Sequence, residues 1–110
     1  MHKTMLFMLL LAPLPAVAAD VFALEIAPGN FNEHCLKIDA GKAIRYRFEA
    51  AAALDFNIHH HRGNDVLYPV KRDGIRRAQA EFRAPASGDY CLMWSNNGRV
   101  QVRVAGEVVR

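Results

Sequence analysis

Apolar and polar residues alternate along most of the chain, which is the period of a half-buried strand. Phe22, Leu24 and Ile26 share one face of a first strand, and Pro28-Gly29-Asn30 ends it. Residues 35–38 form a second, short strand candidate, closed by the turn Asp39-Ala40-Gly41-Lys42. Ile44, Tyr46 and Phe48 then alternate with Arg45, Arg47 and Glu49, the clearest amphipathic strand pattern in the chain. The four alanines at 50–53 read as the seed of one helical turn, too short to persist as a helix unaided. Leu54, Phe56 and Ile58 resume the alternation against Asp55, Asn57 and His59.

Gly63-Asn64-Asp65 is a turn, and residues 66–70 return as a short strand. Its Pro69 cannot donate to a ladder, which places this strand at a sheet edge. Residues 71–77 read as a basic loop around Asp73-Gly74, and Ala78, Ala80 and Phe82 alternate again with Gln79, Glu81 and Arg83. After a turn at 85–89 comes a strand over 90–95. Asn97-Gly98 is a tight-hairpin signal leading to a last strand over 99–104, with Val100, Val102 and Val104 on one face. Eight short strands, a turn every ten residues or so and no long helix predict an all-β, antiparallel β-sandwich.

The first 19 residues stand apart. A basic start at Lys3, an apolar run ending at Leu11 and the small residues Ala16-Val17-Ala18-Ala19 make a secretory signal peptide. The run is far shorter than the roughly 20 residues a membrane span needs, and no later stretch approaches it. Cleavage before Asp20 leaves residues 20–110 as a single domain, expected in the periplasm or outside the cell.

Loss of Lys3 lowers the formal net charge of +3 by one. So small a positive excess on an exported chain argues against nucleic acid as a partner. A domain of this size buries a modest fraction of its surface, which makes a covalent staple useful. Cys35 and Cys91 are the two cysteines of the chain, and an exported pair predicts a disulfide. Closing so long a loop stabilises by about 4 kcal/mol in the chain-entropy model. Two thiols on a soft metal are the competing use.

Two segments carry a family resemblance. Gly88-Asp89-Tyr90-Cys91-Leu92-Met93-Trp94-Ser95-Asn96, with the valine-rich strand over 100–104, resembles the closing strands of the GOLD domain, the lumenal β-sandwich of the emp24/p24 cargo-receptor family. Glu33-His34-Cys35, Gly41 and the strand over 44–49 resemble its earlier half, so the similarity spans most of residues 33–104. It implies the sandwich fold, a Cys35–Cys91 disulfide and a general binding role. Tyr90 sits closer to Cys91 than the family's tyrosine does to its cysteine. The chain also stops at Arg110 without the family's coiled coil or membrane anchor, so cargo-receptor function does not carry over.

The sharpest chemistry lies in His59-His60-His61. Strand alternation puts His59 and His61 on one face and His60 with Ile58 on the other. Two imidazoles can share one ion, with His34 or Met93 as a third ligand from another strand; imidazole with thioether suits copper, imidazole with carboxylate suits zinc. The competing reading is a solvated strand end. If Cys91 faces the core, Met93 does too, and Tyr90, Leu92 and Trp94 line the opposite face, where exposure would make them a partner surface. Lys71, Arg72, Arg76 and Arg77 could hold an anionic group or simply be a wet loop.

No nucleophile with a histidine and an orienting acid is evident, so no catalytic residue is assigned. The expectation is an exported, non-enzymatic binding module. It takes copper, or zinc in its place, through His59, His61, His34, His60 and Met93. The alternative is a metal-free envelope module that meets a protein partner through Tyr90 and Trp94 or through Arg76 and Arg77.

Overall fold

The computed structural model describes residues 19–110. The expected signal peptide therefore lies outside the described residues, except for Ala19, which opens the first strand. Six strands follow: β1 (Ala19–Ile26), β2 (Phe31–Ile38), β3 (Ala43–Arg62), β4 (Asp65–Arg83), β5 (Gly88–Ser95) and β6 (Val102–Val109). All pair antiparallel in the order β1-β6-β3-β5-β2, with β4 on the other side of β3. The sheet is all-β and antiparallel as expected, a curled half-barrel of six strands rather than eight.

The difference has a local cause. The two strands expected over 44–49 and 54–59 are one strand, because Ala50, Ala51, Ala52 and Ala53 form no helical turn. They form a bulge within β3, between the pairs Glu49↔Arg77 and Leu54↔Ile75. Bulges bend and twist the strand that carries them. Before the bulge β3 pairs with β6, and after it with β5. Ala50 and Ala52 pack against the core, where small side chains let the bend close. The Arg76 Nη2 donates to the Ala51 carbonyl at 3.0 Å, satisfying an acceptor that the bulge frees from the ladder.

Residues 71–77 are likewise strand and not loop. Asp73 and Gly74 together face Asp55, Gly74 takes a positive φ of 65°, and its N–H donates to Asp55 Oδ1 at 2.9 Å. Tyr68 and Pro69 make a third bulge opposite His59. Proline is tolerated there because β4 is an edge strand and a bulge leaves its position unpaired. The hairpin tip is a two-residue loop between Arg62 and Asp65, with Gly63 at φ 60° as a II′-type turn requires at its first position.

The Asn97-Gly98 hairpin does not form, since β5 and β6 are not neighbours. The segment between them crosses from one half of the sheet to the other around Asn96, which is 1 % exposed. Its Nδ2 donates to the Ile26 and Val100 carbonyls and its Oδ1 accepts from Gly98 N–H. The last strand accordingly starts at Val102, and Val100 lies outside it, exposed.

One core fills the concave side. Phe22, Phe48, Phe56 and Trp94 meet there with ring centroids 4.7–5.6 Å apart in the contacting pairs. Gly106 lies between Phe22 and Phe48 in the paired strands. A Cβ there would strike the Arg47 carbonyl oxygen and lie 2.8 Å from Phe48 Cα, so the close approach of β6 to β3 needs glycine.

Candidate functional site

Pairing of β2, β5 and β3 decides which chemistry meets on the convex face. Cys35 lies opposite Cys91, and Cys91 lies opposite His59. Residues directly opposite in a ladder project to the same side, as do those two positions away. Glu33, Cys35, Cys91, Met93, Asn57, His59 and His61 therefore share the face away from the core. Cys35 and Cys91 are joined in a disulfide.

His59 sits at the centre of this group, 7 % exposed. Its Nδ1 is 2.8 Å from Asn57 Oδ1, and an amide oxygen only accepts, so the neutral ring carries its proton on Nδ1. That leaves Nε2 facing the Glu33 carboxylate, 3.6 Å away. Burial holds the imidazole below its ordinary pKa, with His61 and His60 pushing the same way and Glu33 opposing. The bulge in β4 lays Tyr68 beside the ring at 5.8 Å, and the His61 ring stands edge-on at 5.6 Å. Next to this group is a shallow groove of about 330 Å³, lined by Asp55, Asn57, Tyr68, Lys71, Met93 and Ser95 among others.

The sequence-level candidates divide between the two faces. His60 turns inward and stacks on Tyr90 at 4.5 Å. His34 also lies on the inner side, stacked on Phe22 with its Nε2 3.5 Å from Asp20. Neither joins His59 and His61. Met93 does share their face, in the row next to Asn57.

The assignment of faces on β5 is the reverse of the expectation. Tyr90, Leu92 and Trp94 are 0 % exposed, whereas Met93 is only partly covered. Tyr90 and Trp94 are therefore core residues and not an interaction surface; the Tyr90 hydroxyl donates to the Ala86 carbonyl at 2.6 Å. Burying three large side chains outweighs burying a disulfide and a methionine, because stabilisation follows apolar area removed from water. Arg76 and Arg77 are exposed, but on β4 rather than on a loop; Arg76 is tied to the bulge and Arg77 lies opposite Glu49.

Three features escaped the sequence. Glu33 reaches His59 only across β5, so no spacing in the chain announces it. Asn57 could have been found, since it stands two residues before His59 on the same strand face. The third is the hairpin tip, where consecutive Val66, Leu67 and Tyr68 are 39 %, 38 % and 53 % exposed.

No family model matches the chain, and no curated protein matches it either. The GOLD resemblance thus stands without family-level support. Solved structures do match. The Aeromonas hydrophila protein PliG, a periplasmic inhibitor of g-type lysozyme, aligns with a TM-score of 0.63 at 17 % identity over 89 % of this chain and 90 % of its own. The mitogen of Yersinia pseudotuberculosis gives 0.60 at 10 % identity, covering 86 % of each chain. The pre-peptidase C-terminal domain of Bacillus anthracis collagenase gives 0.56 at 15 % identity over 79 % of this chain and 87 % of that one. The likeness is one of fold. An all-β, disulfide-bonded domain is what these neighbours share a shape with. Among the described residues no helix is long and apolar enough to cross a membrane.

Proposed function

We propose that the chain is an exported, non-enzymatic module that binds a protein partner through the tip of the β3–β4 hairpin. The observation that carries this reading is the run Val66-Leu67-Tyr68. Other exposed large apolar residues, Val21, Phe31 and Val100, are scattered along the chain, whereas these three are consecutive next to the hairpin turn. Val66 lies opposite His61 and Tyr68 lies beside His59 on the outer face, while Leu67 lies opposite His60 on the other side. Exposed apolar side chains gathered at one place mark interaction sites, and tyrosine is enriched among the residues that dominate binding energy. The ladder runs to the Arg62↔Asp65 pair, so the tip is held in shape before a partner arrives and little ordering entropy is lost on docking. His61 and Arg62, both exposed, supply a polar rim.

The disulfide supports an oxidising compartment, periplasmic or extracellular. The likeness to PliG makes a g-type lysozyme the first partner to test. The GOLD resemblance adds a binding role in general and no partner. Residues 20–110 are added to a g-type lysozyme digesting peptidoglycan. Inhibition by the wild type that is weakened at least tenfold in Leu67→Ser/Tyr68→Ala supports both the partner and the surface. No inhibition at any concentration removes lysozyme as the partner.

A second reading rests on the Glu33–His59 pair with His61 beside it. Imidazole and carboxylate donors on one face suit zinc or cupric ion, so copper stands as a proposed ligand of the oxidised protein. Calorimetric titration with Cu and Zn decides it. Micromolar binding lost in His59→Ala/His61→Ala supports the histidine pair, and equal heats from both proteins reject it.

A further inference from the structure

The disulfide lies beside two potential metal-ligating groups, His59 and Glu33. A His59 ring nitrogen, a Glu33 carboxylate oxygen and the Cys91 Sγ all lie within 4.8 Å of one another. Cys35 is joined to Cys91 from the directly opposite position on β2. Four side chains from three adjacent strands thus converge on one spot of the convex face. While the sulfurs are bonded to each other they are poor ligands, because the thiolate is the metal-binding form.

We propose that the Cys35–Cys91 disulfide masks a zinc-class metal site, which opens when a dithiol reduces it and is then built from Cys35, Cys91, His59 and Glu33. Two thiolates, one imidazole and one carboxylate make a complete tetrahedral set for zinc, with expected bonds of about 2.3 Å to sulfur and about 2.0–2.2 Å to nitrogen and oxygen. Thiolate donors suit zinc and select against cupric ion, which they reduce, so this site excludes the copper that the oxidised histidine pair could take.

The dithiol gives two electrons and two protons to the S–S bond and leaves as its own disulfide. Cys35 and Cys91 become thiols, and the metal displaces a proton from each as it binds. Cys35 is exposed, so the reductant can reach the bond. Asn57 holds the Nδ1–H of His59 and turns the Nε2 lone pair toward Glu33, as an orienting partner of a metal-bound histidine does. Burial favours the neutral ring that a metal needs.

The site shares Glu33 and His59 with the metal reading above but needs two sulfur donors that exist only after reduction, so a cobalt–thiolate band confined to the reduced protein separates the two. Residues 20–110 are reduced with excess dithiol, freed of it without oxygen, and titrated with Co(II) as a spectroscopic stand-in for zinc. The expected result is a thiolate-to-cobalt charge-transfer band with tetrahedral visible bands in the reduced protein, and neither in the oxidised one. Zinc then displaces the cobalt.

Glu33→Gln and His59→Ala each weaken binding by at least tenfold, while His61→Ala stays within about twofold of the wild type. Equal affinity in the Glu33→Gln and His59→Ala variants overturns the proposal, because two cysteines alone would then explain the band. Circular dichroism follows the fold: a reduced chain that zinc keeps folded or refolds supports the site. A reduced chain that stays unfolded with zinc present overturns it.

Discussion

Trp94 separates a core from a surface more sharply than any other position. It is fully buried, with ring centroids 5.0 Å from Phe22, 5.3 Å from Phe48 and 5.6 Å from Phe56. Trp94→Ala removes the ring that packs against all three. Large-to-small changes at such positions cost about 3–5 kcal/mol, the transfer term plus that of the cavity left behind. The Trp94 indole N–H is buried with no acceptor among the described residues. Trp94→Phe therefore gives up an unpaired polar group along with part of the ring, and is expected to cost less than half as much as the alanine change. With urea m-values of about 1–3 kcal/mol/M for small domains, the alanine variant loses about 1 M or more in midpoint. Urea unfolding followed by far-ultraviolet circular dichroism reads this directly, since the variants lack the single tryptophan. A surface tryptophan would cost about 0.5 kcal/mol or less. A loss that small from Trp94→Ala would refute the assignment of faces on β5 and the core built upon it.

Gly106→Ala drives a methyl group into the backbone of β3 and is expected to destabilise by about 3 kcal/mol in the same unfolding assay, with Gly98→Ala far milder because its contact is a side-chain oxygen at 3.2 Å. Asn96→Ala leaves the Ile26 and Val100 carbonyls and the Gly98 N–H without their side-chain partner, for a loss of about 2–4 kcal/mol by thermal and urea unfolding. Burial lowers the pKa of His59, so between its folded value and the unfolded 6.5 the unfolded chain binds more protons than the folded one. Stability is then full above about pH 6.5 and falls as the pH drops below it; urea midpoints from pH 8 to pH 5 should show that fall in the wild type and less of it in His59→Gln.

The alternation of apolar residues made the strands legible wherever one face is buried. Phe22 and Ile26, or Ile44, Tyr46 and Phe48, are inward as their spacing requires. Two joins were not legible. Four alanines carry no period, so nothing local distinguishes a helical turn from a bulge, and the choice falls to Arg76 and the partners of β3 on either side. Asn97-Gly98 has the composition of a tight turn, but Asn96 spends its side chain on carbonyls 70 and 4 residues away, and long-range bonds override local preference.

The histidine run was half legible in the same way. Two-residue periodicity separates His60 from its neighbours, yet it cannot say which face is the core. A cysteine in a disulfide suggests a buried side on β5, whereas three large side chains outweigh one disulfide and turn Tyr90, Leu92 and Trp94 inward. The Glu33–His59 contact depends on the register of three strands, which no single stretch of chain encodes.

The hairpin tip is tested most directly by covalent capture in the native envelope. A benzophenone amino acid replaces Tyr68 in one variant and Arg45, exposed in the other half of the sheet, in a second. Illumination is expected to give a discrete crosslinked protein from position 68 and none from position 45. Adducts from neither position, or the same adduct with equal yield from both, would contradict a partner-binding tip.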